Sequence, residues 1–194
     1  MNYLAHAFLS FDQEEILVGN MLGDFVKGKH YLNWPKPIQQ GILLHRFIDH
    51  TTDAHPLVHE AMDLFRPSFK LSNGIFVDIF FDHFLANDPQ YFTHEKLATF
   101  TQATYHSLMK HESLFDEKMH TFFSYMKEYD WLYHYSKMEG IEKSIRGICK
   151  RYPKLGDAEM ALQLFEKNYL QLQQLFADFF VDLVIASKNK IATF

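Results

Sequence analysis

Apolar residues recur along most of this chain at the three- and four-residue spacing of an amphipathic helix. Asp157 is the expected N-cap of the last long segment. The apolar residues of that segment fall at Leu162, Phe165, Tyr169, Leu172 and Phe176. No segment shows the sustained alternation that is typical of a strand. The pattern therefore predicts an all-α protein, a single compact helical bundle over residues 1–194.

The same spacing, together with prolines and capping residues, gives the helix positions. Thr93 is expected to cap one helix, and Ser72 or Asn73 another. The predicted helices cover residues 14–28, 35–52, 55–68, 72–88, 93–111, 116–136, 138–151 and 157–187.

Composition excludes several classes of function. A formal net charge of −5 over 194 residues argues against a basic nucleic-acid binder. The single cysteine, Cys149, cannot form an internal disulfide. The N-terminus lacks the cationic region of a signal peptide, and no stretch approaches the roughly 18 apolar residues of a membrane span. We therefore expect a soluble, cytoplasmic protein.

The most unusual helix reads IFVDIFFDHFLA, in which nine of twelve residues are apolar. The other three residues are Asp78, Asp82 and His83. An ionised carboxylate in an apolar interior costs several kcal/mol unless it is paired or binds a metal. Asp78 and Asp82 are four residues apart, so they share a helical face, which is either exposed to water or compensated by a cation.

A second pair of candidates lies in GILLHRFIDHTTD. His45 and Asp49 are also four residues apart on one helical face. Imidazole and carboxylate together suit Mn, Fe, Zn or Mg, and a larger share of oxygen ligands favours the harder ions. The alternative is an ordinary His–Asp pair on a solvated surface, because this spacing alone is weak evidence.

Two further residues have meaning only in combination. Asp24 comes late in an apolar helix, and His6 lies in the apolar segment NYLAHAFLS. Each alone is more often a hydrogen-bonded structural residue than a ligand. If these residues converge with those of the other two helices, a bundle can build a metal site from inward-facing side chains.

Other catalytic signatures are absent from the sequence. There is no P-loop, no Rossmann glycine fingerprint, no HExxH, no CxxC and no GxSxG. A local basic segment, KSIRGICKRYPK, carries no acid and contributes Lys143, Arg146, Lys150 and Arg151. It is either a solvated helix face or a docking site for an acidic partner.

Taken together, the motifs resemble one known family. MNYLAHAFLS, VGNMLGDFVKG, GILLHRFIDHTTD, DIFFDHFL and GICKRYP are similar, in order and spacing, to the acyl carrier protein phosphodiesterase family. The resemblance covers about residues 1–155. It implies an all-helical protein, distantly like the HD-type metal phosphohydrolases. The chain has the order Asp82-His83 in place of an adjacent His-Asp dipeptide.

The resemblance also implies a reaction and its participants. The reaction is hydrolysis of the phosphodiester that joins 4′-phosphopantetheine to a serine of holo acyl carrier protein. The expected metal is Mn²⁺, with Mg²⁺ or Fe²⁺ as alternatives. The partner is the acidic carrier protein, and we expect neither nucleic acid nor membrane as a partner. The oligomeric state stays open.

The resemblance gives the positions of the site residues, and we assign a role to each on chemical grounds. We expect Asp24, His45, Asp49 and Asp82 to bind the metal. His6 or His83 would position the water or protonate the leaving oxygen, and Asp78 would orient one of them. The phosphate would be held by Arg46 or Lys27. The carrier would dock on Lys143, Arg146, Lys150 and Arg151.

Two other functions stay open from the sequence. One is an enzyme of the same fold that hydrolyses a smaller phosphoester and needs no docking face. The other is a non-enzymatic helical binding module, in which these acids are exposed or structural and no divalent ion is bound.

Overall fold

A computed structural model describes residues 1–69 and 73–194. Within these residues there are eleven α-helices and no strand, so the predicted all-α class is confirmed. The helices are α1 Tyr3–Phe8, α2 Glu14–Leu22, α3 Lys36–Asp53, α4 Pro56–Asp63, α5 Asn73–Asn87, α6 His94–Lys110, α7 Glu117–Glu128, α8 Trp131–His134, α9 Met138–Arg151, α10 Ala158–Lys167 and α11 Tyr169–Ile191. The predicted likeness to HD-type enzymes stays a prediction.

Two of the predicted caps, Thr93 and Asp157, are confirmed. The side chain of Thr93 accepts a hydrogen bond from the amide of Lys96 at the start of α6. Asp157 accepts from the amide of Glu159 at the start of α10. For α5, Asn73 is the first helical residue, whereas the alternative cap, Ser72, lies outside the described residues.

Three predicted helices are interrupted. The predicted helix 14–28 ends at Leu22, where a short 3₁₀ turn begins. The predicted helix 116–136 breaks near Asp130, which adopts a left-handed conformation with φ of 44°. The last helix divides at Asn168 into α10 and α11. Conversely, the pattern gave no separate helix for the N-terminal residues, which form α1 and carry His6.

Helices α2 and α3 pack closely because glycines face each other between them. A Cβ atom on Gly19 would overlap the carbonyl oxygen of Ile38, and one on Gly41 would overlap that of Ile16. Farther along, a Cβ on Gly23 would overlap the ring of His45. This close approach of the two backbones brings His45 against the end of α2, where the candidate site lies.

Helix α5 runs through the core, as its apolar sequence indicates. Phe76, Phe80, Phe81 and Phe84 are almost completely buried, and the Phe80 ring stacks on Phe165 of α10 at 4.0 Å. Both Asp82 and His83 are buried with them. The alternative of a solvated face is therefore wrong for Asp82.

The last helix, α11, is long and apolar enough, by length and composition alone, to cross a membrane. No such segment was expected from the sequence pattern. One face of α11 is buried through residues such as Leu172, Phe176 and Phe180, and the helix contacts α3, α4 and α5. A helix that fills a protein core has the same length and composition, so a single helix of this kind is weak evidence for a membrane span.

Candidate metal centre

Two buried histidines from different helices form the centre of the candidate site. His6 comes from α1 and His45 from α3, and each is less than 5% exposed. Their rings stack with centroids 4.1 Å apart and planes tilted by 19°. Two parallel imidazoles at this distance direct their ring nitrogens toward a common point.

Asn20 of α2 holds both rings by the same edge. His6 Nδ1 lies 2.8 Å from the side-chain oxygen of Asn20, and His45 Nδ1 lies 2.8 Å from its backbone oxygen. The Asn20 amide group donates to the carbonyl of His6 and to Ser10 Oγ, which leaves its side-chain oxygen as the acceptor. Each Nδ1 therefore carries a proton and donates it, and both Nε2 atoms face away from Asn20.

Two carboxylates face those Nε2 atoms. Asp49 places Oδ1 3.2 Å from His6 Nε2 and Oδ2 3.1 Å from His45 Nε2. Asp24 places Oδ1 3.4 Å from His45 Nε2, and its Oδ2 accepts a hydrogen bond of 2.8 Å from the Tyr3 hydroxyl. The ligand atoms offered by His6, His45 and Asp49 all lie within 4.8 Å of one another, so that these three side chains are able to hold a single metal ion.

The electrostatics of the cluster favour positive charge between its members. Burial opposes a charge on His45, but hydrogen bonds to Asp24 and Asp49 outweigh it and raise the pKa of His45 to about 9. Burial and the neighbouring His45 lower the pKa of His6. The hydrogen bond from His45 lowers the pKa of Asp24. Burial opposes the ionisation of Asp49, but its hydrogen bond with His45 and its contact with His6 outweigh it and lower the pKa of Asp49. The two carboxylates therefore remain ionised and favour a cation at their centre.

The set of donor atoms fits a divalent metal. Imidazole nitrogen combined with carboxylate oxygen is suited to Mn, Fe or Zn. A metal-bound histidine usually donates its other N–H to a carbonyl or carboxylate oxygen, which fixes the tautomer and the ring orientation. Asn20 provides such an oxygen to each ring, so the partners of the two histidines also fit a metal centre.

The hydrogen bonds of Asp82 go to α1 and not to this cluster. Its Oδ2 accepts from the Leu4 amide at 2.7 Å and its Oδ1 from the Ala5 amide at 3.2 Å. It is 0% exposed, and burial raises its pKa to about 7. Both oxygens thus hold the N-terminal turn of α1, the helix that carries His6. The expected metal-ligand role of Asp82 gains no support from this geometry.

Asp78 and His83 are also engaged elsewhere. Asp78 Oδ1 lies 3.0 Å from the α-ammonium group of Met1. His83 places Nδ1 2.7 Å from the Tyr135 carbonyl and Nε2 3.0 Å from the Tyr169 hydroxyl. The three polar residues of IFVDIFFDHFLA thus have a structural explanation, because each binds a neighbouring chain segment.

Arg46, expected to hold the phosphate, instead contacts the segment that follows Asp24. Its Nη2 donates to the Val26 carbonyl at 2.8 Å, and its guanidinium lies over the Tyr31 ring at 5.2 Å. Lys27, the alternative, is exposed between those two residues. Arg46 therefore anchors the chain beside the site in this structure.

Four of the five cations of the basic segment lie on α9, and two of these four are already paired. Lys143 lies 2.6 Å from Glu139, and Arg146 lies 2.7 Å from both Glu142 and Glu159. Lys150 and Arg151 are exposed at the end of the helix. The segment is thus less strongly basic than its sequence indicates.

Two residues of the site, Asn20 and Tyr3, were not predicted from the sequence. Asn20 is the amide in VGNMLGD, a fully buried polar residue in an otherwise apolar helix, and that isolation was a usable signal. Nothing in the sequence indicated Tyr3, because its hydrogen bond to Asp24 depends on how α1 packs.

Two cavities, with volumes of about 740 Å³ and 860 Å³, are lined by residues that adjoin the cluster but by none of its four members. Phe25, which follows Asp24 in the chain, lines the first, and Tyr3 lines the second. Phe122 and Trp131 line both. The cavities reach the cluster through Phe25 and Tyr3, the neighbours of Asp24, since the Tyr3 hydroxyl donates to its carboxylate.

Comparisons with known proteins agree on one family. The family model described as "Acyl carrier protein phosphodiesterase" matches residues 1–183. Proteins named acyl carrier protein phosphodiesterase from Yersinia pestis and Photorhabdus laumondii are each 30% identical over 191 residues. These matches cover 98% of this chain and 99% and 96% of the respective relatives. A protein of the same name from Pectobacterium atrosepticum is 28% identical over 98% of this chain and 99% of its own. No solved structure matches the chain.

Proposed function

We propose that this chain, which belongs to the acyl carrier protein phosphodiesterase family, hydrolyses the phosphodiester that links 4′-phosphopantetheine to the serine of holo acyl carrier protein. The products are apo carrier protein and 4′-phosphopantetheine. One observation carries the proposal beyond the family relationship. His6, His45 and Asp49 converge within 4.8 Å, a grouping that suits a metal-assisted hydrolase. An open cavity reaches this cluster through Tyr3, whose hydroxyl holds Asp24.

The residues that would hold the metal are His6, His45 and Asp49, with Asp24 as a fourth. Mn²⁺ is the proposed ion, with Mg²⁺ or Fe²⁺ as alternatives. When bound, a divalent ion neutralises the charge of the phosphodiester and lowers the pKa of a coordinated water. We do not place Asp82 among the ligands, because both of its oxygens accept from backbone amides.

The protein's own groups orient this centre. Asn20 fixes the tautomer of both histidines through their Nδ1 atoms, so that both Nε2 atoms stay directed at the carboxylates. The Tyr3 hydroxyl holds one oxygen of Asp24 and leaves the other facing His45. Tyr3 also lines the cavity, so this contact sets the boundary between the cluster and the bound substrate.

The carrier protein would dock on the exposed face of α9, in keeping with the acidity expected of carriers. Lys150 and Arg151 are the stronger candidates, because Lys143 and Arg146 already pair with acids on this chain. Arg151 also lines both cavities, which supports a role for this cation at the entrance to the substrate site. Charge complementarity of this kind mainly raises the association rate.

We further propose that residues 1–194 act as one domain in the cytoplasm, with a carrier protein rather than nucleic acid or a membrane as partner. The formal charge of −5 supports the first exclusion. The buried face of α11 supports the second.

The direct test follows the mass of holo acyl carrier protein incubated with the purified chain and Mn²⁺. We expect loss of the phosphopantetheine mass, which a chelator and the variant Asp49→Asn both abolish. An unchanged carrier together with hydrolysis of a small phosphodiester would identify the same chemistry with another substrate. An unchanged carrier with no bound metal would favour a non-enzymatic helical module.

A further inference from the structure

The two cavities beside the cluster form an aromatic cleft. They share the side chains of Phe122, Tyr125, Trp131 and Arg151. Phe122 is the central ring: it lies 5.1 Å from Tyr3 and 5.5 Å from Trp131, measured between ring centroids. The aromatic wall thus runs from the residue that holds Asp24 to the far side of the cleft.

The outer part of this wall is exposed to an unusual degree. Tyr125 and Tyr129 are 52% and 53% exposed, and their rings stack at 5.4 Å with planes 23° apart. Both line the larger cavity. Exposed aromatic rings grouped around a concave surface are typical of a binding site for a ligand with both apolar and polar parts.

Gly147 on α9 gives an independent indication. It lies inside a helix, where glycine is less favourable than alanine. Its position is open: a Cβ atom placed there would meet nothing within 4 Å, although the residue lines the larger cavity. By contrast, Gly140 on the same helix packs against the carbonyl of His134 and has no room for a side chain. Packing within the protein explains Gly140 but not Gly147.

We propose that this aromatic cleft binds the pantetheine arm of the substrate, with Gly147 leaving room for it. The proposal rests on the proposed function, which supplies the phosphodiester at the cluster and hence a chain that extends away from it. The arm is a narrow chain of amides with one dimethyl branch and a terminal thiol. Such a chain suits aromatic faces with a few polar atoms, and each cavity has the size of a small-molecule site, about 300–1,000 Å³.

The orientation of the arm follows from the ends of the cleft. The phosphate end lies near Tyr3 and Asp24, where the cluster is. The thiol end lies near Tyr125, Tyr129 and Gly147, farther along the aromatic wall. The carrier's serine is joined to the other side of the phosphate, away from the arm.

The test fills the cleft at Gly147 and leaves the cluster intact. Gly147→Phe adds a ring where the structure has open space, and Gly147→Ala is the matched control, which adds one methyl group and favours the helix. Three quantities are measured on both variants and on the wild type. They are kcat/KM for holo carrier, kcat/KM for bis(p-nitrophenyl) phosphate, and binding of free pantetheine by saturation-transfer NMR.

We expect Gly147→Phe to lower kcat/KM for holo carrier at least tenfold and to abolish the saturation transfer to pantetheine. The small phosphodiester should be hydrolysed at the wild-type rate, and Gly147→Ala should behave as wild type throughout. Equal pantetheine binding by both variants, or no binding by the wild type, would overturn the cleft assignment. If the wild type binds pantetheine but leaves holo carrier intact, the cleft stands and the proposed reaction does not.

Discussion

Two regions of this protein bury histidine and aspartate side by side, and they use them differently. In the cluster of His6, His45 and Asp49, the ring nitrogens and carboxylate oxygens face one another. On α5, Asp82 and His83 each face backbone or hydroxyl groups that satisfy them fully. Both regions look alike in the sequence. The difference lies in the partners: groups that converge on one another form a site, and groups that bind separate segments hold the fold together.

The largest expected effect comes from the converging region. Asp49→Asn keeps the side-chain shape and removes the charge that bridges both histidines. We expect kcat/KM for holo carrier to fall by more than about 100-fold, beyond the 10–100-fold typical of losing a ligand's hydrogen-bond partner. The melting temperature should also fall, because the charge that pairs with the buried histidines is lost. Asp53→Asn, one helical turn farther along α3, is the matched control and should keep wild-type activity.

A smaller effect is expected from Asn20, which orients the cluster without facing its centre. Asn20→Ala removes the acceptor for His6 Nδ1 but keeps the backbone acceptor for His45. We expect roughly a 10–100-fold loss of activity or metal affinity and a loss of about 1–3 kcal/mol in unfolding free energy. Ser10→Ala removes a partner of the Asn20 amide and of the His6 carbonyl but leaves the acceptor for His6 Nδ1 in place. If it matched Asn20→Ala in activity, the orienting role would be contradicted.

The region on α5 should respond in stability and in its dependence on pH. Burial raises the pKa of Asp82 to about 7 in the folded chain, against 3.8 as its ordinary value. Between these values the folded state binds the extra proton, so the contribution of this group to stability falls as the pH rises toward 7 and stays low above it. The Met1 ammonium, Asp78 and the Tyr135 hydroxyl are the other titratable groups beside it.

Asp82→Asn removes this titration. We expect its melting temperature, relative to wild type, to be more favourable at pH 8 than at pH 5.5, with activity kept within about tenfold, since the metal-facing atoms are unchanged. Thermal unfolding at the two pH values measures it. A difference independent of pH would contradict the assignment of a buried titrating carboxyl.

The smallest effect is expected at the rim. Lys150→Glu should raise KM for holo carrier a few-fold, with kcat unchanged, and the effect should shrink at high salt. Lys96→Glu on α6 makes the same change in charge away from α9 and serves as the control. Equal effects from the two variants would show that KM depends on the net charge of the enzyme and not on a docking face on α9.

Much of this fold could be predicted, because the spacing of apolar residues indicates where the helices lie. The positions at which helices end or break could not be predicted, since they depend on tertiary contacts. Helix α2 ends at Leu22 where His45 lies against Gly23, a residue far from it in the chain. Likewise, four-residue spacing put His45 beside Asp49 but could not show that Asp82 faces the amides of α1. Local spacing determines which residues share a helical face, whereas the partner opposite that face depends on how the helices are packed.

The most direct test of this difference between the two regions is Mn²⁺ binding, followed by electron paramagnetic resonance of the free ion in titrations of three proteins. We predict that the wild type and Asp82→Asn bind the ion tightly, and that Asp49→Asn does not. The contrary result, tight binding by Asp49→Asn and none by folded Asp82→Asn, would move the metal centre to α5 and contradict its assignment to His6, His45 and Asp49.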